Sequence, residues 1–277
     1  MSGRQVRIGT VWDRTVDVLQ GRAGMLFVLA LGFMFVPTVI GNGIALFAGT
    51  GMGARAASGI VNIAASLLLL AGLLAVTAAA SDPRVDQRDA AATGLVRLGP
   101  AVGLILLVAA AAAVVMVPIA YLVFASGATY NAATGRIDVT RAAGGGIALA
   151  GLLSLLVFLA GLWLSAKLVP LFAVIVNERL GLGAFRRSFA LTRGATLRLI
   201  GVLILYGVVL LVVMTAATTV IGLIARLLLG ADAPAGVAFV VAVVSAAVTA
   251  VASVVQAVFY AQYYVAARDA EGVAAGA

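Results

Sequence analysis

Long apolar runs separated by short polar segments make up most of this chain. Each run is long enough to cross a bilayer, which takes about 20 residues, and the segments between the runs carry most of the charged side chains. We therefore expect an all-α, polytopic membrane protein, folded as a single membrane domain over residues 1–277 with six transmembrane helices. The expected spans cover about residues 25–47, 57–80, 100–124, 144–176, 199–225 and 236–260.

The fourth apolar run is longer than the others, because its apolar character continues past Lys167 and Pro170 to Val176. One perpendicular crossing needs fewer residues than this. We therefore expect this helix to tilt or to project beyond the bilayer.

A basic segment, residues 176–198, lies between the fourth and fifth runs. Its large apolar residues recur at the spacing of one helix face, and its arginines lie mainly elsewhere on that helix. The apolar residues are Leu182, Phe185 and Phe189, and the arginines are Arg186, Arg187, Arg193 and Arg198. This pattern predicts an amphipathic helix on the membrane surface, with these four arginines contacting anionic lipid headgroups. Residues 1–22 show a similar pattern, and we place both interfacial helices on the cytoplasmic side.

The composition supports a membrane protein. Apolar residues account for 64% of the chain and charged residues for 10%, and the mean hydropathy is +1.20, whereas soluble domains are about half apolar and a quarter charged. The net charge of +8 suggests an anionic partner. Because the arginines flank apolar runs, we expect that partner to be anionic lipid and not nucleic acid.

The cations are distributed unequally between the two sides of the predicted bundle. All but four of the 18 Lys and Arg residues fall on the side that holds both termini. The four on the other side are Arg55, Arg136, Arg141 and Arg226. Positive residues are enriched in cytoplasmic loops, so we expect both termini in the cytoplasm.

Several polar side chains lie inside the predicted spans. The last span places Ser245, Thr249, Ser253, Gln256 and Tyr260 on one face, and the second span contains Asn62. We expect Asn62, Ser253 and Gln256 to form interhelical hydrogen bonds. The alternatives are a substrate pathway along the last span and a ligand contact at Asn62.

Catalytic chemistry is poorly supported by the sequence. The chain contains no His and no Cys, which removes His-dependent catalysis, the commonest metal ligand and thiolate chemistry. The predicted spans contain no acidic residue for proton coupling. We therefore predict no catalytic residue, no cofactor and no metal site, and an enzyme is the least favoured hypothesis.

Two stretches resemble a known family. The first contains Lys167–Pro170, then Asn177 and Glu178, and then AFRRSFALTRG at residues 184–194; the second is FYAQYY at residues 259–264, followed by Arg268. Together they resemble the membrane domain of bacterial glycerophosphoryl diester phosphodiesterases. That family's soluble barrel uses a His pair and acidic metal ligands, which this chain lacks. The resemblance therefore implies a stand-alone membrane domain in the bacterial cytoplasmic (inner) membrane, without the enzymatic activity.

Two functional hypotheses follow. The first is a non-catalytic inner-membrane protein that organises or regulates a membrane protein partner and contacts anionic lipid through its basic cytoplasmic face. The alternative is a lipid-handling or small-solute transport protein that uses the polar face of the sixth span. A solvent-connected cavity bounded by Asn62, Ser253 and Gln256 favours the alternative, and a dry, packed seam disfavours it.

Overall fold

The computed structural model describes residues 6–49, 51–131, 135–140, 144–230 and 232–275, with side chains up to residue 272. Within these ranges the helices are α1 (Ile8–Gly21), α2 (Ala23–Ala30), α3 (Val36–Phe47), α4 (Met52–Ser81), α5 (Gln87–Val96), α6 (Leu98–Ala125), α7 (Gly144–Lys167), α8 (Leu171–Asn177), α9 (Gly183–Leu191), α10 (Thr196–Leu229) and α11 (Pro234–Ala275). Strands β1 (Thr129–Asn131) and β2 (Arg136–Asp138) form a short antiparallel hairpin in the segment predicted to be a loop.

Six helical stretches in the described part of the chain are long and apolar enough to cross a membrane. They are Ala23–Phe47, Met52–Ser81, Leu98–Ala125, Gly144–Asn177, Thr196–Leu229 and Pro234–Gly272. The predicted all-α fold with six candidate transmembrane helices is confirmed. The last stretch continues well beyond residue 260, where the sequence predicts its end, because the residues that follow pack against other helices and need no contact with lipid.

The fourth stretch, predicted as a span over 144–176 that tilts or projects beyond the bilayer, consists of two helices, and its tilt or projection stays a prediction. α7 ends at Lys167, and α8 begins after Pro170 and packs against α4 and α11. Proline has no N–H group and disfavours a continuous helix, so the N–H of Leu171 donates to the carbonyl of Leu168. This break turns the apolar residues of α8 into the bundle, where Ala173 and its neighbours are buried.

α4 lies at the centre of the best-packed part of the bundle, between α3 and α11. Many of its buried residues are alanines, which allow helix backbones to approach closely, and its burial is concentrated between Leu70 and Ala80. A Cβ atom at Gly72 would lie 2.7 Å from the Cβ of Phe33. Phe33 belongs to the π-helical turn Leu31–Phe35, which joins α2 to α3. Only glycine therefore fits at position 72 without a shift of this turn.

α6, α7 and α10 form a second, loosely packed group. Only 6% of the residues in the most apolar window of each corresponding stretch are buried, against 33% for Met52–Ser81. α7 contacts α6 and α10, and α10 contacts α11. These three helices therefore expose most of their apolar surface to whatever surrounds the chain.

α1 crosses the bundle near the end of α11. Ile8 and Trp12, near its start, lie beside α10 and α11, and Arg14 forms an ion pair of 3.6 Å with Asp269 of α11. Arg22, which follows α1, contacts the end of α4. We call this part of the molecule the basic end: α1, α5, α8, α9 and α11 from Phe259 onward.

Candidate functional site

Arg22 joins α1 to the end of α4. Its guanidinium donates hydrogen bonds to the carbonyl oxygens of Ala79, Asp82 (3.2 Å), Pro83 (2.9 Å) and Val85 (2.6 Å). The last carbonyls of a helix have no partner inside it, and a cation suits their partial negative charge. Gln262 of α11 adds another hydrogen bond, since its Nε2 donates to the carbonyl of Ala80 at 2.6 Å. Two side chains that are distant in sequence therefore close the end of α4.

Glu178, immediately after α8, connects three elements of the basic end. Its carboxylate accepts hydrogen bonds from Nε of Arg187 in α9 at 3.0 Å and from the hydroxyl of Tyr264 in α11 at 3.1 Å. Arg187 also pairs with Glu271 of α11 at 2.8 Å. The hydrogen bond to Glu271, with a further contribution from Glu178, raises the pKa of Arg187 above its ordinary value. We call Glu178, Arg187, Tyr264 and Glu271 the Glu178 network.

The basic segment 176–198 folds differently from the predicted single amphipathic helix. The helix within it, α9, is short, and its buried residues are Ala184, Ser188 and Leu191, whereas the prediction placed Leu182, Phe185 and Phe189 on the apolar face. The reason is tertiary contact: the hydroxyl of Ser188 donates to the carbonyl of Lys167 at 2.6 Å, and that of Tyr263 donates to the carbonyl of Leu191 at 3.2 Å. Gly194, at φ 82°, then turns the chain into α10.

The two phenylalanines of α9 lie at the edges of its buried face. Phe185 is half-buried against the core of the basic end, and the ring of Phe189 meets that of Trp163 edge-on, with centroids 5.8 Å apart. Leu182 precedes α9 and is 71% exposed. The face of α9 that packs on the bundle is therefore narrower than the sequence pattern predicts.

The four arginines predicted to contact anionic lipid have different surroundings. Arg186, Arg193 and Arg198 are exposed, and within the described residues they form no ion pair. Arg187 is bound in the Glu178 network. Arg141, one of the four cations assigned to the opposite side, lies outside the described residues. The lipid contacts themselves stay predictions, with Arg187 the least available of the four.

In the described part of the chain, Asn62, Ser253 and Gln256 form no side-chain hydrogen bond to another helix, contrary to the prediction. The side chain of Asn62 is exposed and lies beside Gly41 of α3, where an added Cβ would be 3.0 Å from its Oδ1. The amide of Gln256 donates to the hydroxyl of Tyr260 in the same helix at 2.6 Å, and Ser253 is half-buried in α11. Among the cavities described here, none is bounded by Asn62, Ser253 and Gln256 together. Asn62 and Gln256 line separate depressions, the first between α4, α6 and α8 and the second between α1, α10 and α11.

The other end of the polar face of α11 lines a small cavity between α3, α4 and α11. This cavity has a volume of about 220 Å³ and adjoins the π-helical turn at Met34. Its polar lining residues are Thr38, Asn42, Ser245 and Thr249. Thr38 and Ser245 donate their hydroxyl protons to carbonyls of their own helices, those of Met34 and Val241. The polar face of α11 is therefore divided between two sites, because the neighbours of α11 change along its length.

A larger apolar groove runs between α10 and α11 and reaches α1. Its volume is about 520 Å³, within the range of about 300–1,000 Å³ typical of ligand sites. α10 contributes Val202, Leu203, Leu205, Tyr206 and Val209; α11 contributes Val255, Gln256, Phe259 and Tyr260; α1 contributes Ile8 and Trp12. The groove is thus mostly apolar, with the Gln256–Tyr260 pair and Tyr206 as its polar groups.

The described residues contain no cluster of three or more His, Cys, Asp or Glu side chains able to hold a metal ion. Comparison with protein-family models, curated proteins and solved structures gives no match. The resemblance to the phosphodiesterase membrane domain therefore stays a hypothesis that rests on the residues quoted for it.

Arg22, Gln262 and Ser188 are the interacting residues that sequence reasoning missed. Each donates to a main-chain carbonyl near the end of another helix: Arg22 to Ala79 and Gln262 to Ala80 of α4, and Ser188 to Lys167 of α7. Arg22 counts in the sequence only as one of many cations near a span. In the sequence these residues are a cation just before an apolar run, a glutamine among aromatic residues and a serine in a basic segment. Such signals are weak, because the acceptors are main-chain atoms that every residue carries.

Proposed function

We propose that this chain is a non-catalytic, multi-pass protein of the bacterial cytoplasmic (inner) membrane that contacts anionic lipid through a basic cytoplasmic face and organises or regulates a membrane partner. The observation that carries the proposal is that exposed arginines lie next to helices that are well packed against one another. Arg186 in α9, Arg193 just after α9 and Arg198 at the start of α10 are exposed, while the Glu178 network holds α8, α9 and α11 together. Each basic residue near an anionic surface contributes about 1 kcal/mol.

The loosely packed helices support the partner half of the proposal. α6, α7 and α10 expose large apolar residues such as Val114, Phe158 and Leu211 over most of their length. Lipid or a protein helix can cover such a surface. Crosslinking in native membranes followed by affinity purification tests this point: a stoichiometric membrane protein supports it, and recovery of the chain with lipid alone contradicts it.

The non-catalytic character rests on the sequence, which has no His and no Cys. The resemblance of residues 184–194 and 259–264 to the membrane domain of bacterial phosphodiesterases supports the assignment to the inner membrane. The distribution of Lys and Arg supports a cytoplasmic position for the basic end.

The orientation can be tested by single-cysteine labelling, since the chain has no Cys. Tyr130 in β1 is 60% exposed, and Arg88 in α5 is exposed at the basic end. In intact cells, an impermeant thiol reagent should label a Tyr130→Cys variant and spare an Arg88→Cys variant until the membrane is opened. The reverse pattern would overturn the orientation.

Lipid contact is tested by replacing Arg186 and Arg193 together with Gln, which leaves the Glu178 network intact. The variant should copurify with less anionic phospholipid than the unmodified chain. The matched control is Arg136→Gln with Arg226→Gln, which removes the same charge from the other end and should leave bound anionic lipid unchanged. Equal losses in both variants would contradict a role for the basic face.

A second function, small-solute transport, is favoured by the polar cavity between α3, α4 and α11. Polar groups at membrane depth often mark a solute path, and π-helical turns are frequent at functional sites. A Thr249→Cys variant should react with a small water-soluble thiol reagent if this cavity connects to water. Val251→Cys, which is on the exposed apolar face, is the control; equal resistance of both variants would contradict the transport hypothesis.

A further inference from the structure

We propose that the groove between α10 and α11 holds one acyl chain of an anionic glycerophospholipid, with the phosphate of its headgroup at Arg198. This inference rests on the proposed lipid contact and gives it a specific site. The argument depends on the shape of the groove, on its polar groups and on the position of Arg198.

Three helices line the groove. α10 and α11 form its walls, and Ile8 and Trp12 of α1 lie across it at the basic end. Along α10 it extends from Val202 to Val209, about 10 Å at the usual helical rise. A transmembrane helix is itself about 10 Å wide and is too broad for this volume, whereas an extended acyl chain is slender enough to enter.

Arg198 lies at the end of the groove where a headgroup would sit. It precedes Val202 by one helical turn, about 6 Å along the axis of α10, so both residues lie on the same face. Arg198 is exposed and forms no ion pair within the described residues. Its charge is therefore available for a phosphate, with which a guanidinium forms paired hydrogen bonds.

The polar groups inside the groove suit the ester region of a glycerophospholipid. The hydroxyl of Tyr260 accepts a hydrogen bond from Gln256, and its own proton is free to be donated to an ester carbonyl. Trp12 is 50% exposed beside these groups, as expected for an aromatic side chain at the level of the headgroups.

Tryptophan quenching provides a direct test. The chain has two tryptophans, so a Trp163→Phe variant of the full chain leaves Trp12 as the only one. In detergent micelles, phosphatidylglycerol with brominated acyl chains should quench Trp12 at about one fifth of the concentration required for brominated phosphatidylcholine, the factor expected for one arginine near an anionic headgroup.

Two further variants locate the site. Arg198→Gln should abolish the preference for the anionic lipid, and Arg193→Gln, which removes a neighbouring exposed cation, should preserve it.

Val209→Phe should fill the groove and weaken quenching by both lipids several-fold. Val208→Phe, also exposed on α10 but not lining the groove, is its control; a monodisperse elution peak for each variant excludes misfolding as the cause.

The outcomes separate this site from the broader proposal. Equal quenching by both lipids, or a preference that survives Arg198→Gln, would overturn the groove site and indicate lipid bound only to the general surface. The proposed function would still stand if Arg186 and Arg193 retain anionic lipid in the copurification experiment. If replacing Arg186 and Arg193 leaves copurified anionic lipid unchanged while Trp12 keeps its preference for phosphatidylglycerol, the role of the broad basic face is contradicted. The groove site would then still stand.

Discussion

α4 and α7 have similar mean hydropathies over their most apolar windows, 2.3 and 2.5, yet they are packed very differently. In these windows 33% of the residues of α4 are buried and only 6% of those in the stretch that begins with α7. Small residues do not explain the difference alone, since residues 109–113 of α6 are all alanine and are all exposed. α4 differs in its neighbours, since α3, α5 and α11 all pack against it and Arg22 and Gln262 bind carbonyls at its end. Hydropathy therefore predicts which helices are apolar enough to enter a membrane, but not which of them are packed on several sides.

The largest effect is expected where the end of α4 is held. Replacing Arg22 with Met removes four hydrogen bonds to main-chain carbonyls, three of which are partly buried. The substitution should lower the free energy of unfolding by about 3 kcal/mol. Thermal unfolding in detergent measures it. The control is Arg226→Met at the end of α10, an exposed cation of the loosely packed group, which should change stability little; similar losses in both variants would contradict the comparison.

A second test adds one methyl group to each region. A Cβ at Gly94 of α5 would lie 2.3 Å from the carbonyl oxygen of Ala71 in α4, so Gly94→Ala must push these helices apart and should cost about 2 kcal/mol.

The matched change in the loose group is Gly161→Ala in α7, where a Cβ meets nothing within 4 Å. Alanine is the better helix former by about 1 kcal/mol, so this variant should be as stable as the parent or slightly more so. A clear loss at Gly161 when the protein is in its native membrane, but not in detergent, would show that a partner covers α7.

A smaller effect is expected from single hydroxyl groups. Ser188→Ala leaves the carbonyl of Lys167 without its donor at the break between α7 and α8, and should cost about 1 kcal/mol. Ser154 of α7 donates instead to Ala150 of its own helix, whose carbonyl keeps its helical partner, so Ser154→Ala should be nearly neutral. Chemical unfolding curves of both variants compare them directly.

The smallest effect concerns a strained residue in the packed region. Arg179, just after Glu178, has φ 55°, a left-handed conformation that is unfavourable for residues with a Cβ atom. Arg179→Gly should therefore stabilise the protein by up to about 1 kcal/mol. Arg193→Gly removes the same charge where φ is not left-handed and should bring no gain; a gain there as well would point to charge and not to backbone strain.

The sequence was sufficient for the architecture because the bilayer imposes a length on every span. Pro170 is visible in the sequence as a helix breaker, but the sequence was insufficient for the packing of α8, since its contacts with α4 and α11 depend on the complete fold. Periodicity placed Ser245, Thr249, Gln256 and Tyr260 on one face of the last span. It could not reveal that α3 and α4 border the first two residues whereas α10 borders the last two.

The chemical roles of the arginines were also only partly predictable. Arg186 and Arg187 are neighbours with the same charge, and no rule based on composition distinguishes them. The structure separates them through Glu178 and Glu271, which hold Arg187 and leave Arg186 exposed. A carboxylate that is distant in sequence decides which cation faces outward, and its position depends on the complete fold.

The buried cluster at the basic end has a consequence for the synthesis of the protein. Val11 of α1 and Tyr263 of α11 belong to this cluster, although nearly the whole chain separates them. At about 5–20 residues per second, a ribosome needs roughly 10–50 s to make the intervening sequence. During that interval α1 has no contact with α11, since α11 has not yet been made. The basic end is therefore completed last, and its buried cluster forms only after nearly the whole chain has been synthesised.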